Sequence, residues 1–172
     1  MPVKRRQFLS AAGLSGAIAL AGCAGGESDD AGSTGWDTPS EVVIGTLTPL
    51  SGPFARDWTL VKKGVDFAVE EINANGGLEV FDGAEMTVVS QDTGESTSTA
   101  TSAAQSLYSS ESPVATVGSW LSSQTIATTA VSERNQVPQL TLSYSDEITA
   151  RGFEYVFQTS PKSSQLGSQG LD

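Results

Sequence analysis

The sequence predicts an α/β domain in which one parallel sheet carries helices on both faces. Two observations lead there. From Glu41 onward, short β-branched runs alternate with longer stretches whose apolar residues recur at helical spacing. The helical stretches are long enough to carry the chain back over the sheet, so successive strands run parallel.

Val42–Leu47 reads as the first strand, buried by its length and composition. Ser51-Gly52-Pro53 breaks it. Val61, Val65, Ala68 and Ile72 then share one helical face, with Lys62, Lys63, Glu70 and Glu71 on the others. Asn75-Gly76-Gly77 ends this helix with residues that tolerate left-handed dihedrals, a structural role. Glu85–Ser90 is the second strand and Thr97–Ser109 a second helix of low polarity. Val114–Val117 is the third strand, Gln124–Arg134 the third helix, Pro138–Leu142 the fourth strand and Tyr155–Gln158 the fifth. Ligands of such sheets sit beyond the carboxyl ends of the strands. That places a site on the loops Pro49–Trp58, Gln91–Ser96, Ser119–Ser123 and Ser143–Thr149.

Composition narrows the chemistry. The 172 residues suit one domain and hold 20 acidic side chains, 9 basic ones and no histidine, a formal charge of −11. Without histidine there is no Ser-His-Asp or Cys-His unit. One cysteine permits neither an internal disulfide nor a cysteine-rich zinc site. The acid surplus leaves no basic face for nucleic acid. The loops carry no GxGxxG, Walker-type or GxSxG motif. Glu70 and Glu71 are neighbours on a helix surface and cannot converge on one bond. No enzyme, cofactor or metal site is expected.

Residues 1–22 read as an export signal: Lys4, Arg5 and Arg6 precede a small-residue apolar run from Phe8 to Ala21, too short and weakly apolar to span a bilayer. Arg5 and Arg6 before Phe8-Leu9 look like a twin-arginine signal, with a generic basic start as the alternative. Leu20-Ala21-Gly22-Cys23 resembles a lipobox, in which Cys23 becomes the lipidated N-terminus and anchors the protein outside the cytoplasmic membrane; the alternative is a buried core cysteine. Residues 23–40 are then the lipidated cysteine and a flexible tether of Gly, Ser, Asp, Glu and Thr. After the signal, six basic residues face all 20 acidic ones. Such a surface suits high salt, where screening removes self-repulsion.

Residues 41–172 carry an order of motifs that resembles a known family. It runs Gly45, Pro49-Leu50-Ser51-Gly52-Pro53, Gly64, Glu71-Ile72-Asn73-Ala74-Asn75-Gly76-Gly77-Leu78, Asp92, Val117-Gly118 through Ser122-Ser123, and Ile148-Thr149-Ala150-Arg151-Gly152-Phe153 to Phe157-Gln158-Thr159. This resembles the ABC-transporter solute-binding proteins for branched-chain amino acids and amides, of the type 1 periplasmic-binding fold. The resemblance implies a receptor that passes a small solute to a transporter permease, or a sensory ectodomain of the same fold. It covers the first lobe; the return strands and second lobe lie outside the chain, which is expected to be a fragment. The sequence departs from the family at Trp58, where members carry glycine, and in the segment Leu142–Ser145, which is one residue shorter.

The resemblance also implies that Ser122, ahead of Ser123, meets a ligand carboxylate. The same serines could instead cap their own helix. Trp120 and Trp58, in top loops, are candidate ligand contacts, with a tryptophan folded over the helix end as the other reading of Trp58. Ser143, Tyr144 and Ser145 are candidate hydrogen-bond donors. Asp92 is expected to cap a helix or hold a loop.

Overall fold

The computed structural model describes residues 38–169, and their elements follow the expected alternation. They are β1 (Glu41–Thr48), α1 (Ala55–Ala74), a 3₁₀ turn (Glu79–Phe81), β2 (Glu85–Asp92), α2 (Thr97–Ser110), β3 (Ala115–Gly118), α3 (Ser122–Asn135), β4 (Gln139–Thr141), α4 (Glu147–Ala150), β5 (Val156–Gln158) and α5 (Ser163–Gln169). Arg5, Arg6, Cys23, the 1–22 signal and most of the tether lie outside the described residues. Among the described residues no helix is long and apolar enough to cross a membrane.

The five strands form one sheet in the order β2-β1-β3-β4-β5, all neighbours parallel. Helices lie on both faces. Strand alternation sends Ile44 of β1, Val117 of β3 and Leu140 of β4 toward α1. The opposite set packs on α2 and α3, where Leu47, Ala103, Ala104, Leu107, Tyr108 and Val131 form the core. Gly45 lets β1 approach α2 closely: a Cβ there would stand 2.6 Å from Leu107 Cδ2. Coverage is uneven. Over the β4–β5 end of the α1 face, Leu140, Leu142 and Phe157 stay exposed, because α1 reaches only the β1–β2 side.

Helix ends follow local chemistry. Ser96 caps α2 by accepting a hydrogen bond from the Thr99 N–H at 3.0 Å. Gly76 and Gly77 take positive φ past the end of α1, and the Asn73 amide clamps that end to β2 through both Met86 N and Met86 O. Most boundaries shift by a residue or two from the sequence reading, and two shifts at helix starts bear on the site. α1 starts at Ala55, so Trp58 is in a helix and not in a loop. α3 starts at Ser122, two residues before Gln124. The four-residue α4 and seven-residue α5 are too short for periodicity to reveal.

Candidate functional site

The carboxyl end of the sheet gathers four connections, and the turn from β3 into α3 touches the other three. Gln124 donates from Nε2 to Thr93 O at 3.2 Å and Gly94 O at 3.0 Å, fastening the β2–α2 loop. Ser143 donates from Oγ to Trp120 O at 2.7 Å and lies 3.0 Å from Ser119 O, fastening the β4–α4 loop. The Trp58 and Trp120 rings meet with centroids 3.9 Å apart at 41°, joining α1. Thr141 adds a bond from Oγ1 to Ser119 O at 3.0 Å.

These contacts revise several expectations. Ser122 and Ser123 do not precede α3; they form its first turn. Leu121 is the N-cap residue and offers no side-chain cap, so the reading of either serine as a cap falls. The early N–H groups of α3 therefore face outward unpaired by any cap, at the positive end of the helix dipole. Ser122 is half-buried and Ser123 exposed. Trp58 is 5 % exposed and packs behind Trp120, because its helical position turns it toward the sheet. It is a wall residue, not a loop side chain open to ligand. Ser143 is wholly buried, its hydroxyl engaged with the Thr125 hydroxyl at 2.6 Å and with the two carbonyls, so it holds the loop and is not a free donor. Tyr144 keeps an exposed ring while its carbonyl accepts from Ser163 N at 2.7 Å. Ser145 turns its hydroxyl to Glu147 N at 3.3 Å. Trp120, Ser122, Ser123 and Tyr144 are thus the candidate contacts with surface to offer.

The residues that sequence reasoning missed are the buried polar ones beneath this rim. Gln124, Thr125, Thr128, Thr129 and Ser132 form the inner face of α3. Gln139 rises from β4 to donate to Gly118 O at 2.7 Å and Thr128 Oγ1 at 3.0 Å. Their spacing is helical, a signal that was present, but their polarity marks them as surface in a hydrophobicity reading. Arg151 donates to Ile126 O at 2.9 Å and lies 4.4 Å over the Phe153 ring, so the cation braces α3 and leaves the site to neutral donors.

Asp92 holds the first loop. Its Oδ1 accepts from Leu50 N and Gly94 N, both at 2.8 Å. Burial alone would raise its pKa, but bonds from the Ser51 hydroxyl and the Gly94, Leu50 and Ser51 amides outweigh it and hold the carboxyl below its ordinary value. Among the described residues no group of three or more His, Cys, Asp or Glu could hold a metal ion.

The sequence pattern of the periplasmic binding protein family matches residues 41–172. The Leu/Ile/Val-binding protein homolog 8 of Brucella abortus (strain 2308) is 31% identical over 134 residues, covering 77% of this chain and 32% of the relative. The substrate-binding protein LivJ of the branched-chain amino acid transporter from Streptococcus pneumoniae, solved with isoleucine, is 31% identical at a TM-score of 0.65, over 71% of this chain and 34% of that one. The leucine-binding protein LivK from Thermotoga maritima is 25% identical at a TM-score of 0.67, over 75% of this chain and 35% of that one. The chain spans about a third of the length of the curated relatives it matches. These relatives and neighbours are solute-binding proteins, not enzymes.

The lowered Asp92 pKa has a defined pH signature. A carboxylate depressed in the folded state adds stability that is present above its unfolded pKa of about 3.9 and lost as pH falls through the folded value. Asp92→Asn is expected to lose about 1 kcal/mol near neutral pH, the scale of a partly exposed hydrogen-bonded charge. Urea denaturation should show that gap closing in acid; a gap constant from about pH 7 to about pH 2 would assign the loss to packing instead.

Proposed function

Because the chain belongs to the periplasmic binding protein family, we propose that it is the first ligand-binding lobe of an extracytoplasmic receptor that hands a small solute to an ABC transporter. The solute is a branched-chain amino acid, an amide or a similar small polar molecule. One observation carries this reading: α3 begins uncapped at the carboxyl end of the sheet, with Ser122 in its first turn. Uncapped N–H groups and a hydroxyl at a helix N-terminus suit a carboxylate. The relatives named for leucine, isoleucine and valine support the amino-acid class. Trp120, Ser123 and Tyr144 complete the first-lobe contacts, and a second lobe covers the other side of the ligand.

In a protein carrying both lobes, Ser122→Ala is expected to weaken amino-acid binding by about 1–3 kcal/mol, the range for a hydrogen bond to a charged group. The melting temperature should move little, because no side chain caps α3 in the first place. Calorimetry showing unchanged affinity with a large fall in melting temperature would return Ser122 to a purely structural role.

The same reading puts the receptor outside the cytoplasmic membrane, exported through Arg5 and Arg6 and held by lipid on Cys23. Replacing both arginines with lysine should leave precursor inside the cell, and Cys23→Ser should move the exported protein from the membrane to the soluble fraction. Export unaffected by the lysine pair would point to the general secretory route. Retention of Cys23→Ser on the membrane would remove the lipid anchor.

The acidic surface fits a high-salt medium. Among the described residues one ion pair appears, Lys62 with Asp66 at 2.7 Å, so most carboxylates repel one another unscreened. Thermal melts in rising sodium chloride should give a melting temperature that climbs through the molar range. A flat or falling series would identify an ordinary acidic exported protein.

A further inference from the structure

We propose that Trp58 sets the depth of the ligand crevice and thereby selects compact solutes, an inference that rests on the solute-binding reading above. The strand order places the topological switch between β1 and β3, since the chain leaves β1 for β2 on one side and reaches β3 on the other. Open α/β sheets form their ligand crevice outside the carboxyl ends at that point. Here the crevice is filled from below. Trp58, 5 % exposed, stands between α1 and the ends of β1 and β3, and its ring meets Trp120 at 3.9 Å.

The space left beneath is about 10 Å³, room for at most a single water, between Thr46, Thr48, Val61, Val65, Val117 and Gly118. The Thr48 hydroxyl in that space is buried without a partner among the described residues. A small residue at position 58 would turn this sliver into an indole-sized hole opening under Trp120. With the indole in place, the floor is raised and Trp120 is braced from behind. A solute whose carboxylate meets the start of α3 must then lay its side chain on the Trp120 surface. A compact aliphatic side chain fits that shelf; a bulky aromatic one has no depth to enter. Trp58 touches Trp120 and is a positioning residue, acting on the solute through it.

The test uses the protein with both lobes and two probes, leucine and phenylalanine, titrated by calorimetry. The wild type should prefer leucine. Trp58→Ala should shift the leucine-to-phenylalanine affinity ratio at least about tenfold toward phenylalanine, the scale on which pocket volume discriminates side chains. Trp58→Phe should keep the wild-type preference. Because Trp58→Ala removes a large buried group, Trp58→Leu serves as a second variant that opens part of the same hole and should shift the ratio in the same direction. Ser122→Ala weakens both probes alike and leaves the ratio in place. Binding of both probes with ratios unchanged in Trp58→Ala and Trp58→Leu overturns the depth role and spares the solute-binding reading. A wild type that binds neither probe overturns the depth role together with the amino-acid part of the solute-binding reading.

Discussion

The turn from β3 into α3 is fixed by buried polar groups, and the whole carboxyl end of the sheet hangs on it. Gly118 O accepts from Gln139, Ser119 O from Thr141 and Ser143, and Trp120 O from Ser143. Each carbonyl left bare in that interior would cost on the order of 1–3 kcal/mol. The network is not complete, since the Gln124 and Gln139 Oε1 atoms lack partners among the described residues. Its donors nonetheless all come from β4 and the loop that follows it, so the turn cannot shift without unmaking the bonds that tie it to that strand. A rigid turn is what a helix N-terminus needs if its N–H groups are to meet a ligand in one geometry.

That network explains which parts of the protein were legible in its sequence. β-branched runs such as Val42–Leu47 and the Val61-Val65-Ala68-Ile72 stripe are governed by burial of apolar area, and burial writes itself as periodicity. The five strands, α1 and α2 were therefore readable. α3 obeys a different rule. Its sheet-facing residues are Gln124, Thr125, Thr128, Thr129 and Ser132, chosen to satisfy backbone groups, so its inner face looks like an outer one until the carbonyls opposite are known. The placement of Trp58 and Ser143 escaped the sequence for the same reason. A tryptophan one turn into a helix and a serine just past a strand take their roles from what lies across the sheet, and one sequence does not display its own contacts.

The site itself was half legible. The serines at 122 and 123 were singled out, but whether they cap α3 depends on where it starts, and helix ends shift by a residue or two with local hydrogen bonding. Starting at Ser122 makes Leu121 the cap position, and leucine has no oxygen to offer. The N–H groups that a serine cap would have satisfied therefore stay available, as the proposed reading needs. A local flaw in helix capping is thus what the binding reading requires, and about 1 kcal/mol of helix stability is given up for it.

The charge distribution points the same way. A protein with this acid surplus repels carboxylates at long range, yet the candidate site offers one no lysine or arginine. Arg151, the cation braced against α3, gives its N–H groups to Ile126 O and Thr129 and its face to Phe153. In the proposed reading, recognition falls to neutral donors, the amides of α3 and the Ser122 hydroxyl. Hydrogen bonds made at contact distance, beside a partly buried aromatic wall, leave no room for an ion between the partners and are weakened little by added salt. The repulsion from the surrounding surface acts over longer distances and is screened. In concentrated salt the long-range penalty therefore fades while the short-range attraction persists, so the proposed role as a receptor is compatible with an acidic end on the solute.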